Sequence, residues 1–408
     1  MPRSSSTIPW LINIIFMLWQ GADSHSKLGC GTDRIGEYEA IAAMAGKQVV
    51  TVAVAQYGLL RNNCSAYIYE RLFAQLPTSE KYVYVVDHFI HSNELFAGHE
   101  TGKYRMRVAG GDPNKASIDP FIFEDFPECR FAATPQEMVD LAVEPQLAAT
   151  CGKYGDAWGD KTCGVTLNYL RGLYSQKRVH EMIVAHEHTT KRKYDIVVLM
   201  RPDVMFTRQL NLKYFDATAD GLFSKPQKSI LFTPNWAMWS GANDRFMLGA
   251  RDGVMHTLQR LDYTAHWCAN VNKGPLHSEH FLFWLLNNYT QWAGTELKTA
   301  DGAPKLVEVQ AVHAFFFRRL RATAALVGTQ YLNKCGTWAS PGSKNRCPAE
   351  TSHRTHADSI GFCSKHDVDR MMQEWTPLVD VLSPAHIEEQ LATSKVWSSS
   401  QKKWISTT

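Results

Sequence analysis

Three apolar runs limit what this chain can fold into more than any other feature: VVTVAVA from Val49 to Ala55, YVYVVDHF from Tyr82 to Phe89, and YDIVVLM from Tyr194 to Met200. Each is rich in β-branched residues and has no regular polar alternation, the pattern of strands covered on both faces. Between the first two, Tyr67, Ile68, Leu72 and Phe73 mark a helical pattern from about Cys64 to Leu76. Strand, crossover helix, strand is a βαβ unit, and it requires a parallel sheet. A longer helix is expected over about Thr166 to His188, with apolar positions that include Leu167, Leu170, Leu173, Val179 and Ile183. Lys191, Arg192 and Lys193 follow it, where positive charge suits the helix dipole. The fold class is α/β, with a mostly parallel central sheet flanked by helices.

The rest of the chain continues that pattern. SILFTP (Ser229 to Pro234) reads as a strand, and Trp236 to Ala250 as a loop feeding a short strand. Asp252 to Leu261 is helical, and Ser278 to Asn288 is a strongly apolar helix. A late strand lies within Leu306 to Ala322, whereas Glu94 to Pro145 reads as irregular. With 408 residues and 45% hydrophobic content, the chain can bury one large core with an appendage, or form two domains. The expected layout is a leader over 1–24, a stalk over 25–47, an α/β domain over 48–325 and a C-terminal extension over 326–408. That extension carries Cys335, Cys347 and Cys363.

The leader combines Arg3, an apolar run from Ile8 to Trp19, and small residues at Ala22 to Ser24. This is the order of a secretory signal peptide, with an uncleaved signal anchor as the alternative. Nine cysteines suit the secretory pathway or a secreted protein, and Cys151 with Cys163 can close a local loop. No CxxC pair or His/Cys spacing indicates structural zinc. Asn63-Cys64-Ser65 and Asn288-Tyr289-Thr290 match the glycosylation sequon. A net charge of +3 without a polybasic block gives no reason to expect a nucleic-acid partner. The chain has no G-x-G-x-x-G fingerprint, no P-loop and no G-x-S-x-G elbow.

In open α/β sheets, ligands sit outside the carboxyl ends of the strands. Three such ends carry candidate residues. Gly58 and Arg61 follow the first strand and can wrap a diphosphate, or form a plain turn with a solvated arginine. Asp87 in the second can bind a ribose or base edge, or cap a helix. At the third, Arg201-Pro202-Asp203, the carboxylate can ligate a hard cation and the guanidinium can meet a diphosphate. The alternative there is an Arg201–Asp203 pair in a turn set by Pro202.

The stretch KYDIVVLMRPDVMF resembles the central strand of GT-A-type nucleotide-sugar glycosyltransferases, a Rossmann-related fold in which that strand ends in Asp-x-Asp. One branch of predicted glycosyltransferases reads R-P-D at that corner. Its other features have counterparts here, in the same order: AQYGLLR after the first strand, Asn243-Asp244-Arg245-Phe246 with Gly249, and Leu276-His277-Ser278-Glu279 with Phe281 and Leu282. The resemblance spans about Val49 to Arg321. It implies a nucleotide-sugar donor, an acceptor hydroxyl on a glycan, protein or lipid, and work in the endoplasmic reticulum or Golgi lumen. A membrane would be a partner only through an uncleaved leader.

In the GT-A family the corner holds Mn2+ or Mg2+, which would place Asp203, and His313 after the late strand, as metal ligands. Arg201 stands where the first acid is usual. Metal independence is therefore the other reading, with Arg201, Arg61 or Arg318 neutralising the leaving diphosphate. Glu279 and Asp244 are the candidate catalytic bases, each with a structural alternative as helix-dipole partner or ion-pair member. Trp236 and Trp239 can stack on a sugar or simply pack. The loss of the first acid also fits a binding protein that keeps the fold without catalysis.

Overall fold

The computed structural model describes residues 35–58, 79–94, 130–201, 204–206, 212–224, 228–234, 241–287, 306–312, 317–320, 326–327, 395–398 and 403–406. The expected helix near Cys64 to Leu76, both sequons, the leader, and Arg61, Asp203, His313, Trp236 and Trp239 lie outside the described residues.

The described chain is built on a nine-stranded sheet and a three-stranded one. The first elements are helix α1 (Ile35–Met44), strands β1 (Gln48–Gly58), β2 (Tyr82–Glu94) and β3 (Arg130–Pro135), and helices α2 (Gln136–Ala149) and α3 (Gly164–Thr190). Strands β4 (Ile196–Met200) and β5 (Val204–Phe206), helix α4 (Leu212–Ser224), and strands β6 (Lys228–Pro234) and β7 (Phe246–Ala250) follow. Helices α5 (Arg251–Leu258) and α6 (Ser278–Asn287) precede β8 (Leu306–Val312), β9 (Phe317–Leu320), β10 (Leu326–Val327), β11 (Lys395–Ser398) and β12 (Lys403–Ser406).

The large sheet has the order β12-β11-β8-β6-β7-β4-β1-β2-β3. Strands β3, β2, β1, β4, β6 and β8 share one direction, and β7 runs against its neighbours β4 and β6. This is the α/β class, with a mostly parallel sheet flanked by helices. Strand β5 belongs to the small sheet and pairs antiparallel with β9.

Every residue of β4 is buried, as its uninterrupted apolar sequence requires. Alternation along the strands divides the sheet into two faces. Ala53, Ala55, Tyr57, Val197, Leu199 and Met247 share a core with Val179 and Ile183 of α3, Val254 and Leu258 of α5, and Leu282 of α6. On the other face Tyr84 meets Phe215 of α4 edge-on, with ring centroids 5.7 Å apart.

Four elements depart from expectation. Strand β2 continues past Phe89 to Glu94, because its polar residues are absorbed within the fold. Asp87 is fully buried and accepts a hydrogen bond from the Tyr194 hydroxyl at 2.5 Å, with His186 Nε2 3.7 Å away. It therefore belongs to the core between β2 and α3, not to the sheet edge. Within the stretch expected to be irregular, β3 and α2 form; α2 buries Val139 and Val143 one turn apart and carries Pro145 near its end. Helix α1 occupies part of the expected stalk, with Ala42 buried.

An ion pair fixes α3 to the start of α5. Arg251 Nε and Nη2 donate to the two Glu187 oxygens at 2.6 and 2.5 Å, and the Tyr194 amide donates to Glu187 Oε1 at 3.1 Å. Glu187→Ala would remove both short hydrogen bonds of the mostly buried Arg251 guanidinium and leave it only the Asp252 carboxylate, 3.3 Å from Nη1. The expected loss is about 3–5 kcal/mol, read as a lower denaturant midpoint with an unchanged slope. Among the described residues no helix is long and apolar enough to cross a membrane.

Candidate active site

The order β2-β1-β4 contains a reversal: β1 connects forward to β2 on one side, while β4 lies on its other side. Such a switch point opens a crevice at the carboxyl ends of the strands. Tyr57 and Gly58 end β1 there, and Arg201 directly follows β4. One step beyond the last paired residues, Arg201 falls beside Tyr57 and across from Arg245. Gly58 has φ +112°, a value that favours glycine, and its amide donates to Ser175 Oγ on α3 at 2.8 Å.

Two separate sequence segments meet at this edge. The loop 241–245 leads into β7 and lies on the first turn of α6, where the Ala242 amide donates to the Glu279 carbonyl at 3.0 Å. The approach is so close that a Cβ on Gly241 would stand 2.1 Å from that oxygen. Asp244 is fixed from behind, because the Tyr57 hydroxyl donates to its carbonyl at 2.9 Å. Asn243 Oδ1 accepts from the Arg245 amide at 3.0 Å and completes the turn. At the far end of this segment, Gly249 lets β7 press against β6, where a Cβ would meet the Ile230 carbonyl at 2.6 Å.

The carboxylates of Asp244 and Glu279 interact in a largely enclosed space. Glu279 is 5% exposed. Burial, and next the charge of Asp244, push its carboxyl up to about 7, against smaller opposing effects of the Ser278 hydroxyl and Arg245. Ser278 Oγ donates to Glu279 Oε2, and His277 Nδ1 lies 3.4 Å from the same oxygen. Burial, and then His280, hold the His277 imidazole below its ordinary value, against the opposing charge of Asp244. Asp244 Oδ2 lies 4.0 Å from Arg260 Nη2.

Arg260 was not legible as a site residue in the sequence. Its side chain is completely buried, and none of its three nitrogens has a hydrogen bond. Its guanidinium sits 5.9 Å from the ring centroid of Tyr169, whose buried hydroxyl also lacks a hydrogen bond. Arginine is among the residues least often fully buried, and one in an apolar helical stretch reads as surface. Only the tertiary approach of Asp244 reveals its role as a fixed positive charge behind the carboxylate pair.

The structure thus brings Gly58, Arg201, Asp244 and Glu279 to one edge of the sheet, and Asp87 lies deeper, beneath it. Arg318 falls in β9, whose backbone pairs with Met205 two residues after Asp203. Among the described residues no group of three carboxylate, imidazole or thiol side chains converges as a metal cage. The two carboxylates that do meet are engaged by Arg260 and Ser278. Asp203 and His313, the residues expected to hold a metal, lie outside the described residues. A carboxyl that titrates near neutrality beside a second carboxylate and a fixed cation can exchange a proton with a bound hydroxyl.

No family model matches the sequence, and no curated protein matches it. Among solved structures, the apo form of mouse xyloside xylosyltransferase 1 is similar with a TM-score of 0.31 and 10% sequence identity. The match covers 58% of this chain and 81% of that one.

Proposed function

We propose that this chain is a glycosyltransferase that moves a sugar from a nucleotide sugar to a hydroxyl on a glycan, protein or lipid. The observation that carries this reading is the meeting of Asp244 and Glu279 at the switch-point edge, beside the strand that Arg201 follows. Two short motifs far apart in sequence supply the two carboxylates, and both belong to the resemblance stated above.

In the inverting form of the reaction, the acceptor hydroxyl attacks the anomeric carbon of the donor. The bond from that carbon to the new oxygen forms as the bond to the diphosphate oxygen breaks. The leaving nucleoside diphosphate takes the electron pair, and the hydroxyl proton passes to the Glu279 carboxylate. Charge developing on the leaving group is stabilised by Arg201, with Arg61 and Arg318 as further cations; were Mn2+ or Mg2+ bound, Asp203 would hold it and it would supply positive charge of the same kind. Asp244 orients the acceptor. Work in the secretory pathway is supported by the Cys151–Cys163 disulfide, since such bonds persist in oxidising compartments.

The test is the melting temperature of the purified protein against UDP, GDP and CMP sugars, with and without manganese. One nucleotide class is expected to stabilise the native protein, and Arg201→Ala to reduce that shift while melting normally without ligand; Asp203→Ala should abolish it where the shift requires manganese. No shift with any donor would contradict the reading. A shift that ignores manganese would assign diphosphate binding to the arginines.

A further inference from the structure

The segment between α2 and α3 presents Trp158 to solvent with 47% of its surface exposed. A single exposed tryptophan is unremarkable on a protein surface, but this one is fixed in place. The disulfide Cys151–Cys163 closes the loop around it. Asp156 Oδ1 accepts from the Trp158 amide at 2.8 Å, while Asp156 Oδ2 accepts from the amide and hydroxyl of Thr166 at 2.9 and 2.7 Å. Asp160 Oδ1 accepts likewise from the amide and hydroxyl of Thr162, at 3.0 and 2.7 Å. Gly155 and Gly159 take the positive φ values, +80° and +75°, that turn the chain on either side of the tryptophan.

The ring also has a defined neighbour. It stacks on His277, with centroids 5.2 Å apart and planes 28° from parallel. His277 is the residue whose Nδ1 lies 3.4 Å from Glu279. His277 also stacks on His280, with centroids 4.2 Å apart. An exposed indole therefore stands one aromatic layer from the carboxylate that reacts with the acceptor hydroxyl.

We propose that Trp158, braced by the Cys151–Cys163 loop and stacked on His277, is the platform for a sugar of the acceptor glycan next to the one whose hydroxyl reacts, since the imidazole separates the indole from Glu279. The inference rests on the glycosyltransferase reading and narrows the acceptor to a carbohydrate. The ligand class is a pyranoside with one face of axial C–H groups. Those hydrogens carry partial positive charge and match the negative face of the indole. Because the loop is already closed and hydrogen-bonded, little ordering entropy remains to be lost when a sugar stacks there.

The experiment is saturation-transfer NMR on the full-length protein with methyl β-D-glucopyranoside, methyl β-D-galactopyranoside and methyl β-D-xylopyranoside as probes. At least one should receive saturation on the ring protons of a single face. Trp158→Ala should weaken that binding about fivefold, Trp158→Phe should keep part of it, and Cys151→Ser with Cys163→Ser should reduce it. A second measurement uses the native protein alone: the bound glycoside should slow oxidation of Trp158 by N-bromosuccinimide, located by peptide mass spectrometry. No saturation of any probe overturns the platform, as does binding that is unchanged in Trp158→Ala and gives no protection of Trp158. Donor binding is read separately by the melting shift. A donor shift with Trp158-independent glycoside binding overturns the platform alone. Trp158-dependent glycoside binding without a donor shift overturns the transferase reading alone.

Discussion

Glu279→Gln is expected to reduce turnover about a thousandfold or more while making the folded protein more stable at pH 8. The catalytic loss follows if the carboxylate accepts the acceptor proton, because an amide cannot; general-base contributions are about 10²–10⁴-fold. The stability gain follows from burial. The ordinary value for this carboxyl is 4.5, and in the fold it is pushed up to about 7. Between those values the unfolded chain has lost its proton and the folded chain still holds it. This carboxyl therefore makes stability fall as pH rises from about 4.5, levelling off above about 7, by about 3 kcal/mol in all. Glutamine never ionises, so the variant should lack that slope and melt higher than the native protein at pH 8. The two should converge near pH 4. Equal melting curves at pH 8 would show that Glu279 ionises without cost and is not enclosed as described.

Gly241→Ala is expected to have the largest effect on stability among single changes in the site. The added carbon would stand 2.1 Å from the Glu279 carbonyl and 2.6 Å from the His280 amide nitrogen. Both are backbone atoms of the first turn of α6, so no side chain can rotate away. Either the loop lifts or the helix end moves, at about 3 kcal/mol. The movement separates Asp244 from Glu279, so turnover should fall together with the denaturant midpoint. A variant with native stability and native turnover would mean that the loop does not rest on the helix.

The parts of the architecture legible in the sequence were those governed by continuous apolar patterning. β1, β4 and α3 emerge close to where their aliphatic residues place them, since burial on both faces leaves little alternative. Polar residues buried with partners were harder to place. Asp87, His88 and His91 resemble the end of a strand, yet β2 continues because Tyr194, Ser175 and Thr134 satisfy Asp87 and His91 from other elements. Pro145 suggested loop, whereas Val139 and Val143 carry a helix through it. In the site, Asp244 and Glu279 stood out through their motifs. That they lie together, with Arg260 and Tyr169 behind them, depends on contacts between residues far apart in the chain. The glycine in S-G-A-N-D permits that contact, but nothing local shows what it approaches.

The central claim is that the switch-point edge turns over a nucleotide sugar with Glu279 as its titrating base. Its most direct measurement is nucleotide release from UDP, GDP and CMP sugars between pH 5 and pH 9, for the native protein and Glu279→Gln. The account predicts release from one donor class, rising through about pH 7 in the native protein and lost across the whole range in the variant. Release that is equal in both proteins, or none from any donor, would contradict it.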